Sequence, residues 1–333
     1  MVGEMVELHL GGKEKAENRS NFRISAFIFC MNLSVIICTH NPRPDYLRRM
    51  LDALKAQTLP KEQWELLLID NASQEPLAKH WDLSWHPHAR HIREEELGLT
   101  PARLRGIAEA QGGVLVFVDD DNVLDKNYLA MAVDIGERFP PLGAWGGRVV
   151  LSFETEPPEW AKPHIGLLAE RNVTEDRWSN SRHTEDHVPY GSGMCIRREV
   201  AVAYRTIVQS NPVRMGLDRR GDSLVSGGDV DMAITSFDLG FGTGLFAALE
   251  VTHLIPATRL QENYLLRLKE SIEYSAVKLA AFRGHHPAIA LKSPWRRRLG
   301  QLRRRLAMPR RERLFMEAKL EGQQKALREI LKG

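Results

Sequence analysis

Cysteine is scarce in this chain: Cys30, Cys38 and Cys195 are the three in 333 residues, and they share no paired spacing. No Cys-x-x-Cys occurs, which excludes a zinc framework and a disulfide scaffold and suits a reducing, cytoplasmic compartment. Long apolar runs are lacking too. None reaches the ~20 residues of a membrane-spanning helix. The nearest approach, Ile24 to Cys38, is broken by Ser25, Asn32 and Ser34. Four glutamates before it, and no clear small-residue cleavage site, argue against a leader peptide. An excess of one charge is also missing: 46 Lys and Arg against 43 Asp and Glu leave a net +3, which says little about partners.

What is present is a globular composition, 43% hydrophobic and 27% charged, long enough for one large domain or two. Residues 1–30 read as an upstream extension or a disordered arm, because Met31 directly precedes the first strand pattern. From there strand and helix signals alternate: strands at Leu33–Cys38, Trp64–Asp70, His88–Arg93 and Val114–Val118. Helices are expected over Arg43–Gln57, from Thr100-Pro101 (an N-cap and first-turn proline) to about Ala110, and over Lys126–Phe139. A series of this kind predicts an α/β fold with a mostly parallel central sheet and flanking helices. After Pro140-Pro141 the pattern loosens; Gly146-Gly147, Pro157-Pro158 and the polar run Thr174–Asp186 suggest long loops. Helical periodicity returns over Glu262–Phe282 and Arg311–Leu331.

The most informative stretch is Phe117-Val118-Asp119-Asp120-Asp121-Asn122. Three carboxylates at the carboxyl end of a buried strand sit where open α/β sheets bind ligands. Adjacent acids repel one another, so the arrangement asks for a cation. Hard oxygen donors select Mg²⁺ or Mn²⁺, which in turn suits a diphosphate.

Five segments in order, spanning about Leu33 to Arg259, resemble a family 2 glycosyltransferase of the GT-A fold. They are Ser34-Val35-Ile36-Ile37-Cys38-Thr39-His40-Asn41, Leu68-Ile69-Asp70-Asn71-Ala72-Ser73, Ala102-Arg103-Leu104-Arg105-Gly106, the Asp119–Asp121 acids, and Gly227-Gly228-Asp229-Val230-Asp231. The resemblance implies a Rossmann-like domain over 31–260, with a nucleotide-binding half (31–140) and an acceptor half (141–260), then a helical C-terminal region (261–333). It implies an inverting, metal-dependent hexosyltransferase that moves sugar from a nucleotide-diphosphate sugar, a UDP-sugar foremost, to an acceptor hydroxyl. Donor contacts would fall to Thr39, His40, Asn41, Asp70, Arg103, Asp119, Asp120 and Arg259, with Arg105 as an alternative to Arg103. The metal would lie on Asp121, Asp119 and His253. Asp229 takes the general-base place, with Asp231 as fallback, and Gly191, Ser192 and Gly193 line the acceptor side. Leu104 stands where the family has Asn, and Gly228 where it has Glu.

Two rival readings follow from departures. A sugar nucleotidyltransferase would open with a glycine-rich loop, whereas Thr39-His40-Asn41-Pro42-Arg43-Pro44 has no glycine. A non-catalytic nucleotide-sugar-binding or scaffold protein is suggested by Gly228 replacing the Glu. Residues 295–313 hold nine arginines and one acid, Glu312. With Trp295, Leu299, Leu302 and Leu306 interspersed, they suit an amphipathic helix on an anionic membrane or a solvated charged helix packed on the domain. No recognised nucleic-acid-binding fold accompanies them. Relatives act on saccharide, lipid-linked or protein acceptors, so the implied setting is polysaccharide or glycoconjugate assembly in the cytoplasm or at the inner membrane face.

Overall fold

The computed structural model describes residues 32–332 except 182–185, 286–288, 290 and 292; the expected extension over 1–30 lies outside them. β1 (Leu33–Thr39), β2 (Trp64–Asn71), β3 (Ala89–Glu94) and β4 (Val114–Asp119) pair in parallel in the order β3-β2-β1-β4. Val35, Ile36, Ile37 and Leu66 to Ile69 are all fully buried. Burial on both faces is what a near-continuous apolar run produces in a parallel sheet. Even Glu65 in β2 is enclosed, where Ser34 Oγ donates to it at 2.6 Å and Arg90 pairs with it at 3.2 Å.

Helices cover both faces. α1 (Pro44–Lys55) buries Leu47, Met50, Leu51 and Leu54, the expected i, i+3, i+4, i+7 stripe. It shares one core with α3 (Tyr128–Arg138). α2 (Leu99–Glu109), α4 (Arg198–Ser210) and α5 (Gly228–Asp238) fill the other core. α2 starts two residues earlier than expected. Its N-cap is Gly98, at φ 143°, and the Thr100 hydroxyl donates instead to Asp218 at 3.0 Å.

The largest departure from the sequence reading is in the second half. Where long loops were expected, β6 (Leu142–Phe153) and β9 (Gly242–Ile255) run side by side in parallel, 12 and 14 residues long. β8 (Cys195–Arg197) joins β4 to β6 antiparallel, β5 (Asn122–Leu124) pairs β9 antiparallel, and β7 (Arg177–Ser179) does the same at its other end. Gly146-Gly147 is therefore strand, not turn. The register shifts between Gly147 and Arg148, and a Cβ on Gly147 would lie 2.5 Å from Leu249 Cβ. A bulge with close backbone approach is the reason for glycine there.

At the end of the chain α6 (Glu262–Phe282) packs along α8 (Arg310–Ile330), and α7 (Pro294–Ala307) precedes α8. Leu265, Leu268 and Phe315 close a small core with Ile255 and Leu260. Among the described residues no helix is long and apolar enough to cross a membrane.

Candidate active site

A cleft of about 450 Å³ opens at the carboxyl ends of β1 and β4. These strands lie where the chain order reverses, the place open α/β sheets reserve for ligands. The register makes the gathering explicit. Cys38 of β1 pairs with Asp119 of β4, and Asn122 of β5 pairs with His253 of β9. Leu254 N donates to Asp121 O at 2.8 Å, so a histidine 132 residues downstream of the acids is brought beside them by sheet pairing.

Thr39, His40, Arg103, Asp119, Asp120, Asp121, Gly191, Ser192, Asp229, His253 and Arg259 all line this cleft. Asn41, Asp70, Gly193 and Asp231 are not among its lining residues, and each has another occupation. Asn41, at φ 46°, holds a turn: its N donates to Ser73 Oγ at 3.0 Å and its Oδ1 accepts from Gln74 N at 2.9 Å. Asp70 accepts from Ser73 N, Leu77 N and Arg93 at 2.9–3.1 Å. Burial alone would raise its pKa, but those hydrogen bonds hold it below the ordinary value. Gly193, at φ 73°, packs against Tyr128, whose hydroxyl donates to Gly193 O at 2.5 Å.

Asp231 is fully buried between two arginines, Arg283 at 2.6 Å and Arg214 at 3.0 Å. That is a structural ion cluster joining α5 to the end of α6, and it withdraws Asp231 as a fallback base. Arg105 is likewise corrected: it sits outside the cleft lining and pairs with Glu109 one turn along α2.

The three acids differ in state. Burial first, then the neighbouring carboxylates, push Asp120 up to about 7, although the Thr39 hydroxyl donates to it. Asp119 is raised by burial and by Asp121, with Arg103 opposing. Asp121 goes the other way. Burial would raise it, but His253 and Arg259 hold it far below the usual carboxylate range. Arg259 pairs with Asp121 at 2.9 Å, and His253 Nε2 stands 3.4 Å from the same oxygen. His253 Nδ1 lies 3.0 Å from Leu168 O, and its Nε2 lies 2.9 Å from Arg259 Nη1.

Arg259 contacts both Asp121 and His253, and among the described residues no three His, Cys, Asp or Glu side chains converge as a ready metal cluster. The donor set of Asp119, Asp121 and His253 nonetheless fits Mn²⁺ or Mg²⁺ in chemistry, and the acid cluster is short of positive charge.

Asp229, which lines the same cleft, sits in the first turn of α5, where the helix dipole favours a carboxylate. Its Oδ2 accepts from Gly191 N at 2.7 Å. A side chain on Gly191 would meet Arg103 Nη2 at 2.8 Å and Asp229 Oδ2 at 3.1 Å, so only glycine lets these groups approach. Burial opposes charge on Arg103, but Asp218, Asp229 and Asp119 outweigh it and hold its pKa above the ordinary value. Asp218, Arg219, Asn71 and Tyr190 also line the cleft and were not singled out from sequence. Asn71 was within reach of sequence reasoning, since it follows Asp70 at the strand end. Asp218 and Arg219 stand in an irregular segment with no motif around them.

The family model described as glycosyl transferase family 2 matches residues 34–205, just over half of the chain. Glycosyltransferase AglE of Haloferax volcanii is 27% identical over 212 residues, 63% of this chain and 62% of that protein. Glucosyl-dolichyl phosphate glucuronosyltransferase of the same organism is 25% identical over 173 residues, 51% and 54% respectively. The chain thus spans only about half to three-fifths of the length of these relatives. A solved structure of GalNAc-T7 with UDP, GalNAc and Mn²⁺ is 17% identical and overlays with a TM-score of 0.49, covering 78% of this chain and 52% of that one. From the family model's span, the chain belongs to glycosyl transferase family 2.

Proposed function

We propose that this protein is an inverting glycosyltransferase that uses a UDP-sugar donor and an acceptor hydroxyl. The observation that carries the reading is the meeting, in one cleft, of the Asp119–Asp121 acids and Asp229. Thr39, His40 and Asn71 at the strand ends are suited to the base and ribose. His40 Nδ1 is held by Asn71 O at 2.7 Å, which fixes the ring. Arg259 and Arg219 line the same cleft and would offer charge to a diphosphate.

Asp229 takes the proton from the acceptor hydroxyl as that oxygen bonds to the anomeric carbon. The bond from that carbon to the diphosphate oxygen breaks on the far side, which inverts the centre. Its electron pair stays on the diphosphate, and the arginines offset the charge. Asp119, Asp121 and His253 would hold a Mg²⁺ or Mn²⁺ ion, which supplies further positive charge for the leaving diphosphate when bound. Gly191 N keeps Asp229 aimed while Gly191 and Ser192 leave room for the acceptor.

We assign catalysis to residues 31–260, with α6 and α8 packed on them. One relative's name specifies glucosyl-dolichyl phosphate as its acceptor. That supports a lipid-linked saccharide as acceptor here. Asp229→Asn tests the reading: UDP binding should persist while sugar transfer falls by about 10²–10⁴. Transfer near the parent rate would move the base elsewhere.

A further inference from the structure

We propose that α7 docks the protein on an anionic lipid surface, lying flat with one face in the bilayer interface. Trp295, Leu299, Leu302 and Leu306 are 62%, 41%, 56% and 84% exposed, too much for a helix packed on its own domain. At ~100° per residue their spacing of 4, 3 and 4 puts them in one stripe about 60° wide. Arg296 and Arg303 lie exposed along one flank of the stripe, and Arg298 and Arg305 along the other. Arg304, on the opposite side, is turned toward Glu317 of α8.

An apolar ridge edged on both sides by guanidinium groups matches the boundary between acyl chains and anionic headgroups. The helix contains no acid, so a second copy of α7 would set arginine against arginine. Charge complementarity therefore selects lipid over self-association.

The test is sedimentation of the full chain with phosphatidylcholine vesicles, with and without phosphatidylglycerol. Binding should require phosphatidylglycerol, and Arg298→Glu/Arg305→Glu or Leu302→Ser/Leu306→Ser should weaken it at least about tenfold. Both pairs are exposed, and circular dichroism should be unchanged. Equal binding to both vesicles, no binding, or a dimer that the Leu variant dissolves would overturn the proposal.

A separate observation concerns the acid missing from the Gly227-Gly228-Asp229 motif, and this inference rests on the transferase reading. We infer that Asp218 supplies that carboxylate from another segment. Its Oδ2 accepts from Arg103 at 3.1 Å and Thr100 at 3.0 Å, and its Oδ1 accepts from Gly228 N at 3.2 Å. A Cβ at Gly228 would lie 2.6 Å from Asp218 Cγ, so one carboxylate fits, from one position or the other. Asp218 is thus a positioning residue: it holds Arg103 and the first turn of α5, and through them the aim of Asp229.

Asp218→Ala and Gly228→Glu should each lower Tm by at least about 5 °C, one by stranding Arg103 and one by collision. Asp218→Ala/Gly228→Glu should regain most of that Tm. UDP affinity in Mn²⁺, lost at least about tenfold in Asp218→Ala, should return with it. A double variant no better in either property than Asp218→Ala overturns the inference. A parent that binds no UDP would defeat the functional reading, while the melting comparison would still decide this one.

Discussion

At the residue scale the decisive variable is which partner a carboxylate or imidazole meets. Asp119, Asp120 and Asp121 were legible in sequence because a triplet of acids after an apolar strand has few other uses. Asp70 and Asp231 were equally conspicuous, yet their side chains answer to Arg93, Arg214 and Arg283. Those partners stand 17 to 52 residues away, and no local pattern announces them. His86 gives a residue-scale prediction outside the cleft. It packs edge-on to Trp64 with ring centroids 4.1 Å apart, its Nδ1 accepts from His88 N, and its buried Nε2 has no acceptor among the described residues. Burial, aided by the charges of His88 and Lys61, lowers its pKa to about 4. Below the ordinary value near 6.5 the unfolded chain binds a proton that the folded one refuses. Stability should therefore fall as pH drops from about 6.5 to 4, by up to about 3 kcal/mol, and level off below. Denaturant titrations across that range should show the slope, and His86→Phe should flatten it.

At the element scale the first half was readable because period and punctuation agree: α1 and strands β1, β2 and β4 fall within two residues of expectation. β6 was hidden because a bulged strand carrying Gly-Gly imitates a turn. Gly147→Val tests that account. A side chain there must displace Leu249, so a loss of about 1–3 kcal/mol is expected by denaturant unfolding. A neutral result would make Gly147 a loop glycine after all. The Asp231 cluster also belongs to this scale, since it ties α5 to the end of α6. Asp231→Ala leaves Arg214 and Arg283 buried without their carboxylate, which should cost about 3–5 kcal/mol. UDP affinity of the folded fraction should stay close to that of the parent. A variant of parental stability that has lost only transfer would return Asp231 to the catalytic machinery.

At the scale of the whole molecule, five segments scattered from β1 to α5 become one site only through the sheet order. That order was partly foreseeable from alternating strands and helices. The pairing of β5 with β9, which sets His253 beside Asp121, was not, because three-residue strands carry no periodic signal. The same pairing gives the site its charge pattern: acids at the end of β4, Arg259 and His253 beside them, and Asp229 lining the same cleft. A diphosphate-bearing donor with a divalent ion is the ligand that this pattern fits best. Calorimetric titration of UDP into the parent and into Asp121→Ala, each with and without Mn²⁺, tests that most directly. The account predicts Mn²⁺-dependent binding to the parent and loss of that dependence in Asp121→Ala. Binding to the parent that ignores Mn²⁺ and survives Asp121→Ala would contradict it.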